Sequence, residues 1–383
     1  MSAPDRLTEL RSTRAVVDLS AVEHNVSRIR DLIGGRTELL AVVKADAYGH
    51  GAVPVARACE RAGAAALGVA MVEEGIELRR VGIRLPILVQ CCVAEREIDA
   101  ALEHGLMLTV GSSDFAERIS QGALAAGVTA VVHADIDTGM GRIGFAAETA
   151  VREIERVNRL PGVMLDGVYT HFSSSEIEND SFTLNQLQLF KKLVSELAEC
   201  GIRPSRVHAA NSGGVINYPE SHLDMVRPGL ILYGIYPHPA LKNKIDLKPA
   251  LRFVTAIVFL KDVLAGTPLG YGQTFVASRR MKVATVNVGY ADGYPWRLSN
   301  NAKVIVRDVL VPVVGRVSMD QLLIDVSGVN EVALGDRVTL LGRDESQCIT
   351  AEEMAVWAGT IPYEIACGIS KRVPREYRGE QGT

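Results

Sequence analysis

Between residues 37 and 233 the chain exchanges short apolar runs for longer amphipathic ones, eight times over. The apolar runs are 37–43, 65–70, 85–90, 106–110, 128–136, 163–170, 206–209 and 223–226. Runs this short and this uniformly apolar suit strands buried on both faces, which have no wet side to fill with polar residues. Between them, 53–61, 73–80, 95–103, 115–124, 149–157 and 184–198 carry apolar residues at helical spacing. Eight strand-helix units in succession predict a closed parallel (β/α)8 barrel of the TIM type, an α/β fold that gathers functional groups on the loops after its strands. A doubly wound open sheet is the alternative. No Gly-x-Gly-x-x-Gly opens the first helix, which weighs against it.

The pattern breaks at Leu247-Lys248-Pro249. Beyond it, valine-rich segments at 251–263, 282–289, 303–314, 321–326 and 337–341 are separated by glycine turns, as strands without intervening helices are. The expected organisation is a barrel over residues 1–245 and a mostly-β domain over 246–383. A chain of 383 residues is long enough for two such cores. The net charge of −4 gives no basic surface for nucleic acid or anionic lipid, so neither is an expected partner. Residues 1–10 are polar and no run is long enough to cross a bilayer, so a cytoplasmic protein is expected. Cys59, Cys91, Cys92, Cys200, Cys348 and Cys367 lack metal-ligand spacing and read as buried or half-buried small hydrophobes, with no metal site among them.

On such a barrel the string Ala41-Val42-Val43-Lys44-Ala45-Asp46-Ala47-Tyr48-Gly49-His50-Gly51 leaves a lysine just past the end of the first strand. A lysine amine so placed, half out of water and among polar groups, suits a nucleophile or base, and in particular a Schiff-base lysine. Four later loops open on the same mouth. Asp135-Ile136-Asp137-Thr138-Gly139-Met140-Gly141-Arg142 follows the fifth strand, and Tyr169-Thr170-His171-Phe172 the sixth. His208-Ala209-Ala210-Asn211-Ser212-Gly213-Gly214 follows the seventh, and Val226-Arg227-Pro228-Gly229 the eighth. Taken singly, each has an ordinary structural explanation, such as a helix cap at Asn211. Their convergence on one rim points to a site. The Asn211–Gly214 turn can hold a phosphate at a helix start, and with Lys44 it calls for a phosphorylated aldehyde, for which pyridoxal phosphate is the fitting cofactor.

Through these motifs, and through Gly270-Tyr271-Gly272, Gly315-Arg316-Val317-Ser318-Met319-Asp320 and Ile361-Pro362-Tyr363-Glu364 in the second region, nearly the whole chain resembles the alanine racemases. The resemblance implies a barrel plus a β domain, a homodimer whose active sites combine both subunits, and alanine as substrate. It implies Lys44 as the cofactor lysine, Tyr48, Asn211, Ser212, Gly229 and Leu230 around the cofactor and its phosphate, and Arg227 against the pyridine nitrogen. It assigns Arg142 to the cofactor's phenolic oxygen and the substrate, and Tyr271 to a second base. Met319, Asp320 and Tyr363 would line the entrance from the other subunit, with Tyr363 also near the cofactor.

Racemisation needs a proton removed from one face of the α-carbon and returned on the other, so two acid/base groups must flank it. Lys44 and Tyr271 can be that pair. A phenol titrates near pH 10, so Tyr271 needs a cationic or hydrogen-bonding neighbour, and His171 is the best one available. A guanidinium keeps its protons, so Arg227 would leave the pyridine nitrogen unprotonated and the ring a weak electron sink. In one respect the chain departs from the family: Asp135 stands where many relatives have a lysine, often carbamylated. A carboxylate there is expected to orient Arg142 without carbon dioxide. Among other barrel enzymes with this cofactor, a basic-amino-acid decarboxylase would pair the ring nitrogen with an acid, and a non-catalytic carrier would lack the β domain. A serine or broad-specificity racemase shares every motif and remains the alternative.

Overall fold

The computed structural model describes residues 11–379, so the polar start at 1–10 lies outside the described residues. Eight parallel strands form a closed barrel: Glu38–Val42, Ala66–Val69, Ile87–Val89, Met107–Val110, Ala130–Asp137, Val163–Tyr169, Arg206–His208 and Met225–Val226. Each pairs with the next, and the eighth pairs with the first through Met225↔Glu38, which removes every edge. Leu40, Leu67, Leu88, Leu108, Val132, Val168 and Val226 are fully buried, as strands covered on both sides require. The expected closed (β/α)8 barrel is therefore the fold.

Helices Ala52–Arg61, Val72–Arg80, Ile98–Glu103, Ser113–Ala126, Ala150–Asn158 and Ser181–Glu199 cover the barrel between strands. Two of them show why they begin where they do. Ser112 caps the fourth by accepting from the Phe115 N–H at 3.3 Å, and Asp180 caps the sixth by accepting from the Thr183 N–H at 2.9 Å. The sequence reading omits a further helix, Leu19–Ile33, ahead of the first barrel strand.

The chain divides into two compact units, one of residues 22–47 and 52–248, the other of 11–21, 48–51 and 249–379. The second is built on a nine-stranded sheet, in which Leu251–Val263 pairs with Met281–Val286 on one side and Arg337–Asp344 on the other. With Lys303–Val306, Val309–Val314 and Leu322–Asp325, these strands close into a smaller antiparallel ring. This is the expected mostly-β domain. Arg14–Asp18 differs from the sequence expectation, which placed the N-terminal segment with the barrel. It runs antiparallel to Leu251–Val263 and parallel to Arg375–Arg378, hydrogen bonds that nothing local in its sequence announces.

The cysteines also differ. Cys59 is buried and Cys348 half-buried, but Cys91, Cys92, Cys200 and Cys367 are exposed, since they sit after a strand or at helix ends rather than on packed faces. Among the described residues no helix is long and apolar enough to cross a membrane.

Candidate active site

Lys44 follows the first barrel strand and is half-buried. After it, Ala45, Asp46, Ala47 and Tyr48 have φ of 53°, 53°, 51° and 54°, four consecutive non-glycine residues in the left-handed region. Such a turn costs roughly 1–2 kcal/mol per residue and persists only where surrounding bonds dictate it. Here the Glu74 carboxylate accepts from Ala45 N–H at 2.6 Å and from Ala70 N–H at 2.7 Å, and Asp46 accepts from Ala52 N–H at 2.8 Å. The turn fixes where the lysine leaves the strand. No glycine marks the four residues that make it; Gly49 and Gly51 come only after them.

Arg227, beyond the eighth strand, is only 2% exposed. One terminal nitrogen donates to His208 Nδ1 at 2.7 Å, and the other to the carbonyls of Thr170 at 2.7 Å and Ala209 at 3.2 Å and to His171 Nδ1 at 3.3 Å. The guanidinium lies over the Tyr169 ring, 4.8 Å from its centre. Its Nε, buried, has no partner among the described residues. An orphaned charged donor in a core costs more than an ordinary lost hydrogen bond, so this atom calls for an acceptor.

His171 is half-buried, and burial lowers its pKa to about 3, with Arg227, Arg142 and Lys44 adding to the effect. All three cations are thus felt at one imidazole. At neutral pH that imidazole is uncharged, and because Arg227 can only donate, its Nδ1 accepts and its Nε2 carries the proton. Of the two ways His171 could assist a phenol, hydrogen bonding is the one open to it.

Arg142 is exposed on a loop held by Asp137, whose carboxylate accepts from Gly139 N–H at 2.9 Å and Gly141 N–H at 3.0 Å. Asp135 is buried, and no ion pair within 4 Å joins it to Arg142 among the described residues, although the charge of that arginine acts on it. Burial raises its pKa to about 7, against the pull of Arg227 first and Arg142 second. The folded protein therefore holds this proton more tightly than the unfolded chain does. The stability so contributed is full below the ordinary value of 3.8 and is lost as the pH climbs through about 7. In thermal melts of the cofactor-free protein, Asp135→Asn should gain on the wild type by a few kcal/mol (order of magnitude) between those limits. Parallel stability curves would contradict the assignment.

Asn211 caps the helix Ser212–Asn217 by accepting from Gly214 N–H at 3.0 Å, while its amide donates to the Phe172 carbonyl at 3.2 Å. The Ser212 hydroxyl accepts from Gly229 N–H at 2.9 Å, which ties the loops after strands seven and eight together. Leu230 is fully buried at the start of the short helix Leu230–Tyr233.

The remaining candidates belong to the second unit. Tyr48 is buried there with its ring 6.0 Å from that of Tyr363, and burial, reinforced by Tyr363, raises its phenol. Tyr271 is 70% exposed in the turn Tyr271–Gln273, and Met319 is 53% exposed. Asp320 accepts from Arg372 at 2.7 Å, and the same guanidinium reaches the buried Asp292 at 3.0 Å. The sequence reading gave no role to Arg372, nor to His133, Tyr169 and His208 beneath Arg227.

A barrel with a strand-end lysine, a neutral histidine and a buried arginine wanting an acceptor defines a TIM-type enzyme that works at the mouth of its barrel. Residues 17–237 match the family model for the alanine racemase N-terminal domain, and 250–377 that for its C-terminal domain. The alanine racemase of Halothermothrix orenii is 43% identical over 97% of this chain and 98% of its own length. The solved alanine racemase of Clostridium difficile 630 superposes with a TM-score of 0.93 at 36% identity, covering 97% of each chain. A histidine racemase from Leuconostoc mesenteroides is more distant, at 30% identity and a TM-score of 0.87 over 98% of this chain and 99% of that one. The chain belongs to the alanine racemase family, a family of amino-acid racemases that use pyridoxal phosphate.

Proposed function

We propose that this protein interconverts L- and D-alanine with pyridoxal phosphate held by Lys44, acting as a cytoplasmic homodimer that supplies D-alanine for peptidoglycan. The observation that carries this reading is the orphaned Nε of Arg227, a buried donor just past the eighth barrel strand that an unprotonated pyridine nitrogen would satisfy. When bound, the cofactor supplies an aldehyde for the substrate amine and a ring that spreads the charge left when the α-proton departs.

In this reading Lys44 takes or returns the α-proton on one face and Tyr271 on the other. His171 donates its Nε2 proton to the Tyr271 oxygen, which favours the phenolate without placing a second cation nearby. Arg227 keeps its protons and so limits how much charge the ring accepts. Ser212, Tyr48 and the Asn211, Gly229 and Leu230 segments hold the phosphate. Arg142 binds the phenolic oxygen and the substrate carboxylate, while Met319, Asp320 and Tyr363 of the partner subunit narrow the entrance. Asp135 is the carboxyl that Arg227 feels most strongly, and with its pKa raised to about 7 it changes charge near neutral pH.

The histidine racemase neighbour gives weight to a broader specificity as second reading. Chiral chromatography of L-alanine, L-serine and L-histidine incubated with the pyridoxal-phosphate-loaded protein separates the two. Racemised alanine with the others essentially unchanged is expected. Comparable conversion of all three would establish the broad enzyme, and no conversion of alanine would end the proposal.

A further inference from the structure

The inside of a TIM barrel is normally filled by branched apolar side chains, yet a row of polar groups runs beneath Arg227 here. His208 accepts from Arg227 at Nδ1, and its Nε2 stands 2.8 Å from His133 Nδ1. His133 Nε2, which has no hydrogen-bond partner among the described residues, lies 3.4 Å from the Asp166 carboxylate, and Arg206 holds that carboxylate at 2.6 Å while also pairing with Glu38 at 2.7 Å. His133 and His208 are fully buried and Asp166 nearly so.

The chemistry of the two ends fixes the direction of every proton between them. An arginine has no acceptor, so its 2.7 Å contact holds only while His208 Nδ1 is bare and the proton sits on Nε2; the opposite tautomer would break it. His133 Nδ1 must then accept, and its own proton sits on Nε2, facing an ionised carboxylate. The electrostatics agree: burial keeps both rings neutral, and His133 and Arg206 together hold the Asp166 carboxyl down to about 2.

The barrel is shaped around this row. Val132 pairs with Leu165 but His133 with Gly167, so Asp166 is an extra residue in its strand, a bulge that re-aims side chains. A Cβ at Gly167 would lie 2.3 Å from His133 Nδ1, so only glycine leaves room for the ring. Tyr169 stacks on the His208 ring at 4.9 Å and closes the other side.

We propose that Asp166 and His133 are positioning residues for Arg227: they fix His208 in the tautomer that accepts from the guanidinium, and thereby keep the Arg227 Nε aimed at the cofactor's ring nitrogen. The functional half of this rests on the pyridoxal-phosphate reading above; the tautomer half does not. Nitrogen-15 NMR of histidine-labelled, cofactor-free protein should show His208 and His133 both neutral with the proton on Nε2. In Asp166→Asn the anion that orders the row is gone, and mixed tautomers should appear in both rings. By analogy with outer-sphere partners of ligating histidines, kcat should fall about ten- to a hundredfold while KM for alanine stays within about twofold. Gly167→Ala, which displaces the His133 ring but keeps every charge, should give the same split between kcat and KM. A proton on Nδ1 of His208 in the wild type, or either variant with normal tautomers and normal kcat, would overturn the proposal. Wild-type protein that neither binds pyridoxal phosphate nor racemises alanine would defeat the functional reading, while the tautomers of the cofactor-free rings would still decide the relay.

Discussion

Subunits carrying Lys44→Ala and subunits carrying Tyr271→Phe should each be inactive, and mixing the two should bring activity back. Either replacement removes one of two proton-transfer groups, a loss of about 10²–10⁴-fold for a positioned acid or base. If each site takes its lysine from one subunit and its tyrosine from the other, a mixed dimer holds one site with both defects and one with neither. With random exchange, half the dimers are mixed and half their sites are sound, so about a quarter of the wild-type rate should return. If each chain builds its own site, every site in the mixture stays defective. Exchange confirmed by mass spectrometry with no recovery of racemisation would reject the shared site.

Arg227→Glu should lower kcat by about 10²–10³-fold, the usual effect of removing one preorganised donor from a reacting centre. Its second effect is more informative. A carboxyl beside the ring nitrogen can give it a proton, making the ring a stronger electron sink, and alanine should then produce a long-wavelength absorption band that the wild type lacks. The same change removes donors from the Thr170 and Ala209 carbonyls and from His208, so circular dichroism must first show an intact fold. A folded variant with a normal rate and no new band would mean that Arg227 has no part in tuning the cofactor.

The barrel was legible because its strands are short and buried on both sides, so that segments such as 85–90 and 206–209 stand out between amphipathic helices. The strand Arg14–Asp18 was not assigned to the second sheet, because its partners lie more than two hundred residues away and local sequence carries no trace of them. Segment 303–314 reads as one strand but is a hairpin. Its turn, Arg307-Asp308, has both residues left-handed without the Asn-Gly or Asp-Gly that usually signals one.

The rim followed the same rule. Lys44, His171 and Arg227 interrupt or follow apolar runs, and Arg142 closes the glycine-punctuated loop after one, which made them conspicuous in sequence. Asp166 and His133 interrupt apolar strands just as plainly, but their meaning depends on a bulge and on a glycine that leaves room for a ring. The left-handed turn after Lys44 is held by Glu74, a residue on another helix that no pattern around the lysine points to. Sequence identified Asp135 as the departure from the family, while its burial, and the raised pKa that follows, came only with the fold.

Borohydride reduction of the pyridoxal-phosphate-loaded protein, followed by peptide mass mapping, tests the central assignment most directly, because it freezes the cofactor on the amine that carries it. The pyridoxyl group is predicted on Lys44, in the peptide that contains Ala45-Asp46-Ala47-Tyr48. Label on any other lysine, or no covalent label in protein that racemises alanine, would contradict the account.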